Sequence, residues 1–229
     1  MRLSIVIPVL NEERALRLNL PLLSGFTHEV IVVDGGSLDR SLDVARKHTP
    51  HVFISGPGRG KQQDLGAHYA HGDAVLFLHA DTRLPHGFDR MIEQTLFDHG
   101  ASFGAFRLKI HPSKPMLNLI ALMATLRSRF LRMPYGDQAL FMRKKDYLRA
   151  GGFQALPLME DVDLVRRLNR IGKFGLARGY VRTSPRRWEK QGALRTTFRN
   201  WSIMMRYLWG ESPQRLYRLY YKANLPFSP

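Results

Sequence analysis

An apolar run that ends in an acid is the most informative chemical feature of the chain. The segment V-L-F-L-H-A-D-T spans Val75 to Thr82, and its first four residues are typical of a buried strand. Ligands of open α/β sheets collect beyond the carboxyl ends of the strands, so we expect Asp81 where a metal or a phosphate would be met. His79 is expected on the same face of the strand. An Asp that only closes a turn is the alternative.

Polar residues also follow two earlier predicted strands. Asn11 and Glu12 come directly after the first strand, which contains Pro8, and Asp34 ends the second strand ahead of Gly35-Gly36-Ser37. Asp34 could accept a hydrogen bond from a base N–H or a ribose hydroxyl, and the glycines allow close approach of the backbone. These groups suit parts of a nucleoside diphosphate.

The segment from Gly56 to Lys61 reads G-P-G-R-G-K and precedes a predicted helix. Arg59 and Lys61 supply two cations beside the backbone N–H groups of a helix N-terminus, a combination that binds phosphates. The segment does not match the Walker pattern, and its glycines do not match the dinucleotide pattern G-x-G-x-x-G. Taken alone it could be a flexible surface loop, but with the other strand ends it indicates a phosphate site.

Alternating strands and helices must position these groups. Apolar runs predict strands at Leu3 to Val9, Glu29 to Asp34, Val52 to Ser55 and Ala74 to Asp81, and the segments between predict helices at Glu12 to Leu23, Ser37 to Lys47 and Lys61 to Ala70. Such an order requires right-handed crossovers. The predicted fold class is α/β, with a mostly parallel sheet covered by helices on both faces.

After Pro85 the alternation is looser. It predicts helices at Gly87 to Phe97, Pro115 to Leu131, after Lys144 and after Glu160, and strands at Ala105 to Ile110 and Gln138 to Arg143. Beyond Thr183 the pattern is that of amphipathic helices, interrupted near Gly210 to Pro213. We expect a main domain over residues 1–190 and a basic, aromatic helical extension over residues 191–229.

The basic character of the chain is concentrated near its C-terminus. The formal net charge is +16, and residues 165–229 hold 15 basic and 2 acidic residues, a net of +13, which leaves 20 basic against 17 acidic residues before them. Such a segment favours polyanions: nucleic acid, an anionic membrane or a phosphate-bearing substrate. A solvated surface that maintains solubility is the alternative. We find no RNP, helix-turn-helix or zinc-finger pattern, so a nucleic-acid-binding protein is the less favoured function.

Cysteine is absent, which excludes disulfides and thiolate metal sites and fits a reducing compartment. The apolar run at the start is short and meets Asn11 and Glu12, so it is predicted to be a strand rather than an export signal. The longest apolar stretch, Met116 to Leu126, is too short to span a bilayer. We expect a cytoplasmic protein, with peripheral binding to the inner face of the membrane as a hypothesis.

Six motifs in order resemble those of the inverting family-2 glycosyltransferases, nucleotide-sugar-dependent enzymes of the GT-A fold. They cover about residues 3 to 190 and read S-I-V-I-P-V-L-N-E-E (4–13), V-I-V-V-D-G-G-S-L-D (30–39), G-R-G-K-Q (58–62), F-L-H-A-D-T (77–82), G-D-Q-A-L-F (136–141) and M-E-D-V-D-L (159–164). The resemblance implies that the nucleotide is held by Pro8, Asn11, Glu12 and Asp34. It also implies that Asp81 ligates a divalent metal, Mn²⁺ or Mg²⁺, that bridges the diphosphate, and that Asp161 is the catalytic base.

Elementary chemistry agrees with these roles. A hard cation bound by carboxylate and phosphate oxygens stabilises the leaving diphosphate, and a carboxylate can take the proton of the attacking hydroxyl. Close like charges in Glu160, Asp161 and Asp163 raise one pKa and improve a base. For Glu160 and Asp163 we favour the alternative of ordinary first-turn acids, stabilised by the helix dipole.

The chain departs from the family pattern at two motifs. The usual acid-x-acid metal motif is His79-Ala80-Asp81, so His79 could ligate Mn²⁺, bind the ribose or only pack. The Q-x-x-R-W motif of processive members is Ser184-Pro185-Arg186-Arg187-Trp188, which lacks the glutamine. We therefore expect a single sugar transfer, with Arg187 near the diphosphate. Trp188 either stacks on the acceptor sugar or packs in the core.

The tail after Gly192 mixes aromatic and basic residues on predicted helices, as at the interface of an anionic bilayer. A lipid-linked or membrane-borne acceptor is one hypothesis. The alternative is that the aromatic residues pack on the catalytic domain or close a homodimer. A non-catalytic nucleotide-sugar-binding protein is a further alternative, and it would not need Asp161. Uracil is the base expected from the resemblance, guanine remains open, and the sequence identifies neither the donor sugar nor the acceptor.

Overall fold

One mixed sheet of eight strands forms the centre of the protein. The computed structural model describes residues 1–23 and 28–222. In chain order the strands are β1 (Leu3–Val9), β2 (Glu29–Asp34), β3 (His51–Ile54), β4 (Ala74–Phe77), β5 (Thr82–Arg83), β6 (Phe103–Ile110), β7 (Phe141–Arg143) and β8 (Phe174–Thr183). They lie in the order β3-β2-β1-β4-β7-β6-β8-β5.

The first four strands are parallel neighbours, as predicted, and the sheet becomes mixed beyond them. Strand β7 runs antiparallel to both β4 and β6, β8 is parallel to β6, and the short β5 is antiparallel to β8. The carboxyl ends of β1 to β4 therefore open on one edge of the sheet, because their helical connections return the chain to the other edge.

Helices connect and cover the strands. The α-helices are α1 (Glu13–Asn19), α2 (Ser41–Arg46), α3 (Arg59–Tyr69), α4 (Phe88–Glu93), α5 (Pro115–Leu131), α6 (Lys144–Arg149), α7 (Glu160–Ile171), α8 (Arg186–Gln191), α9 (Ala193–Leu208) and α10 (Pro213–Lys222). A 3₁₀ turn at Leu20–Leu23 extends α1, a π turn at Gln94–Asp98 extends α4, and a 3₁₀ turn at Gly136–Gln138 precedes β7.

Side chains of alternate strand residues enter two separate hydrophobic cores, which confirms the predicted helices on both faces. Leu3, Ile5 and Ile7 of β1 belong to the core that includes residues of α1, α2, α4 and α5. Val6 belongs to the opposite core, with residues of α3, α6 and α7. Every residue of β1 is buried, as expected for a central strand covered on both sides.

Two predicted strands were too long. Strand β4 ends at Phe77 rather than at Asp81, and the N–H of Thr82 donates to the carbonyl of His79 in the turn that follows. His79 and Asp81 therefore lie in a loop, not on one face of a strand. The strand predicted from Gln138 begins at Phe141, because Gln138 ends a 3₁₀ turn and Ala139 adopts a left-handed backbone conformation with φ of +50°.

Strand β8 was not predicted from the sequence. Its second half alternates buried and exposed residues, but Gly179 occupies one of the buried positions and Gly175 lies in the first half, so the apolar pattern in the sequence is weak. The glycines have a packing reason: a Cβ at Gly175 would lie 2.3 Å from the Cγ2 of Thr95, and one at Gly179 would lie 2.6 Å from the sulfur of Met91. The strand accepts glycines here because α4 and the π turn lie against it.

The C-terminal helices α9 and α10 form a third hydrophobic cluster with the start of α7. Its buried members are Val162, Ile203, Met204, Tyr207, Leu216 and Tyr220. The interruption between the two helices falls at residues 209–212, as predicted. Across the described residues, no helix combines the length and apolar character that crossing a lipid bilayer requires.

Candidate active site

The ends of β1 and β2 are joined by a network of hydrogen bonds. Val9 and Asp34 are opposite each other in the sheet register. The carboxylate of Asp34, which is 3% exposed, accepts from the N–H groups of Gly36 and Ser37 at 2.9 and 2.8 Å and from the Ser37 hydroxyl at 2.5 Å. Asp34 therefore shapes the loop after β2, and one acceptor position on its Oδ1 is left for a ligand.

Asn11 joins the same two loops from the other side. It has a left-handed backbone with φ of +54°, its N–H donates to the Ser37 hydroxyl at 2.8 Å, and its Oδ1 accepts from the N–H of Leu38 at 2.8 Å. Pro8 is buried inside β1, opposite Val33. Both predicted nucleotide residues thus lie at the edge where β1 ends.

Gln62 of α3 closes the space between the two strands, and sequence reasoning gave it no role. Its Nε2 donates to the carbonyls of Val9 at 2.7 Å and Val33 at 2.9 Å, and the side chain is buried. Its position four residues after Gly58, in the first turn of the predicted helix, was the available signal. The bonds fix the N-terminal turn of α3 against the ends of β1 and β2.

The N-terminal turn of α3 contacts the loop before α7. Gly58, with φ of +129°, precedes the helix, which begins at Arg59. A Cβ on Gly60 would lie 2.6 Å from the carbonyl oxygen of Gln154 and 3.2 Å from the Cβ of Glu160. Glycine is therefore required here for close approach, which places the exposed Arg59 and Lys61 of the same turn at the edge of the site.

Asp81 lies in a charged cluster with Glu12, Arg59 and Arg186. Burial raises the pKa of the Asp81 carboxyl above its ordinary value, and the nearby Glu12 carboxylate raises that pKa further. The positive charges of Arg186 and Arg59 lower it in part. Arg186 Nη2 donates to Glu12 Oε1 at 2.5 Å. Asp81 and Glu12 thus form an acidic pair partly neutralised by arginine.

Asp161 is held at the start of α7 by two backbone groups. Its Oδ2 accepts from the N–H of Gly136 at 2.8 Å, and its Oδ1 accepts from the N–H of Val162 at 2.8 Å. A Cβ on Gly136 would lie 3.5 Å from Asp161 Oδ2 and 3.1 Å from His79 Nε2. His79 and Asp161 therefore flank the same backbone point, and the two predicted motifs G-D-Q and H-A-D meet there.

Glu160 is a buried acid beside Asp161. Burial raises the pKa of the Glu160 carboxyl to about 6, with a further contribution from the Asp161 charge. Arg59 Nη1 lies 3.9 Å from Glu160 Oε1 and opposes the shift. The positive charge of Arg59 therefore acts on both Asp81 and Glu160. Asp163 pairs with Arg167 at 2.6 Å, which agrees with its interpretation as an ordinary first-turn acid.

An open cleft of about 510 Å³ lies beside the charged cluster. It is lined by Asn11, Glu12, Glu13, Arg14, Arg17, Leu18, Asp39 and Arg186. The cleft adjoins the ends of β1 and β2, where a nucleotide was predicted. Three acids and three arginines are among the lining residues, so the cleft presents charges of both signs.

The carboxylates available to a metal are few. Among residues 1–23 and 28–222, no group of three or more His, Asp or Glu side chains could hold an ion without help. Glu12 Oε2 is buried and has no hydrogen-bond partner among the described atoms, while its neighbour Asp81 has a raised pKa. An acidic pair of this kind fits a divalent cation whose other ligands come from a diphosphate and water.

The motif after β8 contributes through Arg186, which sequence reasoning passed over. The prediction for Arg187 concerns a side chain outside the described part of the structure. Trp188 is partly buried against the hydrophobic core, in agreement with the packing alternative. Arg186 could be placed only once β8 was known, because that strand carries residues 184–188 back beside the end of β1.

Comparison with known proteins gives the family and the fold. Residues 4–152 match the family described as "Glycosyl transferase family 2". Among solved structures, TarS residues 1–349 from S. aureus has a TM-score of 0.64 at 18% identity, covering 87% of this chain and 64% of that one. The mannosyltransferase PcManGT from Pyrobaculum calidifontis, in complex with GDP-Man and Mn²⁺, has a TM-score of 0.62 at 17% identity, with 79% and 56% covered.

A third similar structure is glucosyl-3-phosphoglycerate synthase from Mycobacterium tuberculosis, in complex with Mn²⁺ and UDP-glucose. Its TM-score is 0.56 at 20% identity, with 80% of this chain and 69% of that one covered. The chain spans somewhat less than two thirds of the length of the TarS and PcManGT chains. Because the family match covers more than half of the sequence and the fold agrees with it, the chain belongs to the glycosyl transferase family 2 and has the GT-A fold.

Proposed function

We propose that the protein transfers a single sugar from a nucleoside-diphosphate sugar to a hydroxyl acceptor, with inversion at the anomeric carbon. One observation carries this proposal: the acidic pair Glu12 and Asp81, the cation Arg59 and the carboxylate Asp161 lie along one edge of the sheet and are connected by contacts and charge interactions. A donor diphosphate and an attacking hydroxyl need separate groups of these kinds.

The donor diphosphate would bind at the N-terminal turn of α3. Arg59 and Lys61 supply positive charge, and the backbone N–H groups after Gly58 point toward the same end of the helix. Asn11 and Asp34 lie at the ends of the neighbouring strands, where the nucleoside would extend. The base is expected to be uracil.

A divalent cation, Mn²⁺ or Mg²⁺, would be held by Asp81 with Glu12 beside it. When bound, the ion neutralises charge on the departing diphosphate. Burial of Asp81 favours a strong interaction with a cation, because the carboxylate has lost part of its hydration. Glu12 Oε2 has no hydrogen-bond partner among the described residues, so it remains available as an acceptor. Arg186 partly neutralises the pair in the present conformation.

Asp161 would accept the proton of the attacking hydroxyl. The N–H groups of Gly136 and Val162 orient its carboxylate. Each oxygen retains a second lone pair for the incoming hydroxyl. An inverting displacement requires the nucleophile to approach the anomeric carbon from the face opposite the leaving diphosphate, so Asp161 and Asp81 would act on opposite faces of the donor sugar.

The complexes of similar structures support this choice of ligands. TarS has been solved with UDP-GlcNAc, PcManGT with GDP-Man and Mn²⁺, and the synthase with Mn²⁺ and UDP-glucose. These ligands belong to those proteins, and at 17–20% identity they do not identify the donor of this one. They define the panel that should be screened first.

A donor screen tests the proposal. The full chain is mixed with Mn²⁺ or Mg²⁺ and a panel of UDP-, GDP- and dTDP-sugars, and thermal shift and slow donor hydrolysis are measured. One donor class should raise the melting temperature only when metal is present, and Asp81→Asn should abolish that shift. Asp98→Asn, an exposed acid distant from the site, is the matched control. If no donor gives a metal-dependent shift or hydrolysis, the proposed function is wrong.

A further inference from the structure

The outer side of α9 carries an exposed apolar stripe. Leu194, Phe198, Trp201, Met205 and Leu208 recur at helical spacing, so they share one side of the helix, and all are exposed. Phe198 is 78% exposed and Trp201 is 57% exposed. The other side of α9 is buried against α7 and α10. Packing within the protein therefore accounts for only part of the apolar residues in this helix.

Helix α5 lies beside α9 and also carries exposed apolar residues. The two helices contact each other. On α5, Met116, Leu119 and Met123 are exposed at helical spacing, and Phe130 is 72% exposed near its end. We call the exposed sides of α5 and α9 the α5–α9 face. Exposed apolar residues at helical spacing on two helices that contact each other are typical of an interaction site.

Arginines border the α5–α9 face. Arg195 and Arg206 are exposed on α9, and Arg129 and Arg132 are exposed at the end of α5. Helix α5 contains no acid, and the one acid between residues 191 and 222 is Glu211, which pairs with Arg206 and Arg215. The apolar residues of the face are therefore accompanied by exposed arginines on both helices.

We propose that the α5–α9 face binds the interface of an anionic lipid bilayer. Exposed tryptophan and phenylalanine enter the region between headgroups and acyl chains, and arginines beside them contact anionic headgroups. A second copy of the chain is the less favourable occupant, because a symmetric contact would bring the arginines of both copies together. The charge of the face therefore favours a negatively charged surface over self-association.

Docking in this way would bring the candidate active site to the membrane. The buried side of α9 packs on Val162, the residue after Asp161, and the Tyr207 hydroxyl lies 3.3 Å from Asp163 Oδ1. An acceptor carried by a lipid could then reach Asp161 without leaving the interface. This consequence for the acceptor rests on the proposed function, whereas the docking does not.

Cosedimentation with vesicles tests the docking directly. The full chain is mixed with vesicles of phosphatidylcholine alone or with about 30% phosphatidylglycerol, at low and high salt. Binding is expected only to the anionic vesicles and should weaken with salt. Neutralising Arg129 and Arg195 with glutamine should reduce partitioning about fivefold per residue, and the double variant Phe198→Ser/Trp201→Ser should reduce it at least tenfold.

Matched variants outside the face serve as controls. Ile54→Ser/Leu148→Ser removes two exposed apolar residues, and Arg46→Gln/Lys47→Gln removes two exposed charges at the C-terminal end of α2. Both should bind vesicles like the wild type. The proposal is overturned if the protein binds neutral vesicles as well as anionic ones, or if the control variants lose vesicle binding as strongly as the face variants do. It is also overturned if sedimentation equilibrium shows a dimer that requires Phe198 and Trp201. Thermal shift with donor and metal is measured on the same face variants. Donor binding that persists in a variant that no longer binds vesicles shows that the docking and the proposed function are tested separately.

Discussion

Arg186 Nη2 lies 2.5 Å from Oε1 of Glu12, and this contact joins residues that are 174 positions apart in the sequence. The bond raises the pKa of Arg186, and the positive charge of Arg186 also acts on Asp81. The guanidinium therefore interacts with the same two acids, Glu12 and Asp81, that would bind a divalent cation.

Removing this guanidinium should strengthen metal binding to the free protein. In Arg186→Gln the acidic pair of Glu12 and Asp81 loses a competing cation, so Mn²⁺ should bind about fivefold more tightly without donor. Titration of Mn²⁺ followed by electron paramagnetic resonance measures the change. Arg14→Gln, which alters another arginine of the same cleft, is the control. Unchanged affinity in Arg186→Gln would refute competition between arginine and metal.

The approach of α3 to the loop before α7 should depend on Gly60. A Cβ there would lie 2.6 Å from the Gln154 carbonyl oxygen, so Gly60→Ala should lower the free energy of unfolding by about 1–3 kcal/mol. Gly56→Ala, where a Cβ would meet nothing within 4 Å, should change it by less than about 0.5 kcal/mol. Urea denaturation measures both. Equal effects would show that the close approach has no energetic consequence.

Glu160 should make stability fall as pH rises. The pKa of Glu160 is about 6 in the folded protein, whereas its ordinary value is 4.5. Between these two pH values the folded state therefore binds more protons than the unfolded state. The contribution of Glu160 to the free energy of unfolding is therefore present below about pH 4.5. It is lost as pH rises through 6, by up to about 2 kcal/mol.

Urea denaturation of Glu160→Gln at pH 4.5 and pH 7.5 isolates this contribution. Relative to the wild type, the variant should gain up to about 2 kcal/mol between the two pH values, because glutamine stays neutral. The half-exposed Glu189, changed to glutamine, serves as the control. A relative stability of Glu160→Gln that does not change with pH would contradict the assignment.

The sequence predicted the first four strands and their helices well because each is a local pattern. The burial of a central parallel strand produces a continuous Val- and Ile-rich run, and the helices between such runs are set by chain connectivity. The position of Asp81 at the edge of the sheet followed from the same reasoning, although β4 ends four residues earlier than predicted.

The missed features depend on contacts between distant residues. Strand β8 contains Gly175 and Gly179, which are needed because α4 and the π turn pack closely against the strand. These glycines weaken the alternation of apolar and polar residues in the sequence of β8. Arg186 follows β8, and its partner Glu12 could not be identified without the sheet order. The contacts of Asp34 with Gly36 and Ser37 had a local signal, since Asp often binds the backbone two or three residues ahead.

Turnover by Asp161→Asn tests the central claim most directly. Asparagine can still accept from the Gly136 N–H but cannot take a proton, so donor hydrolysis should fall by about 10²–10⁴-fold while metal-dependent donor binding stays within about twofold. Asp163→Asn, two residues away and paired with Arg167, should keep its turnover. If Asp161→Asn turns over like the wild type, another group is the base and the proposed mechanism is contradicted.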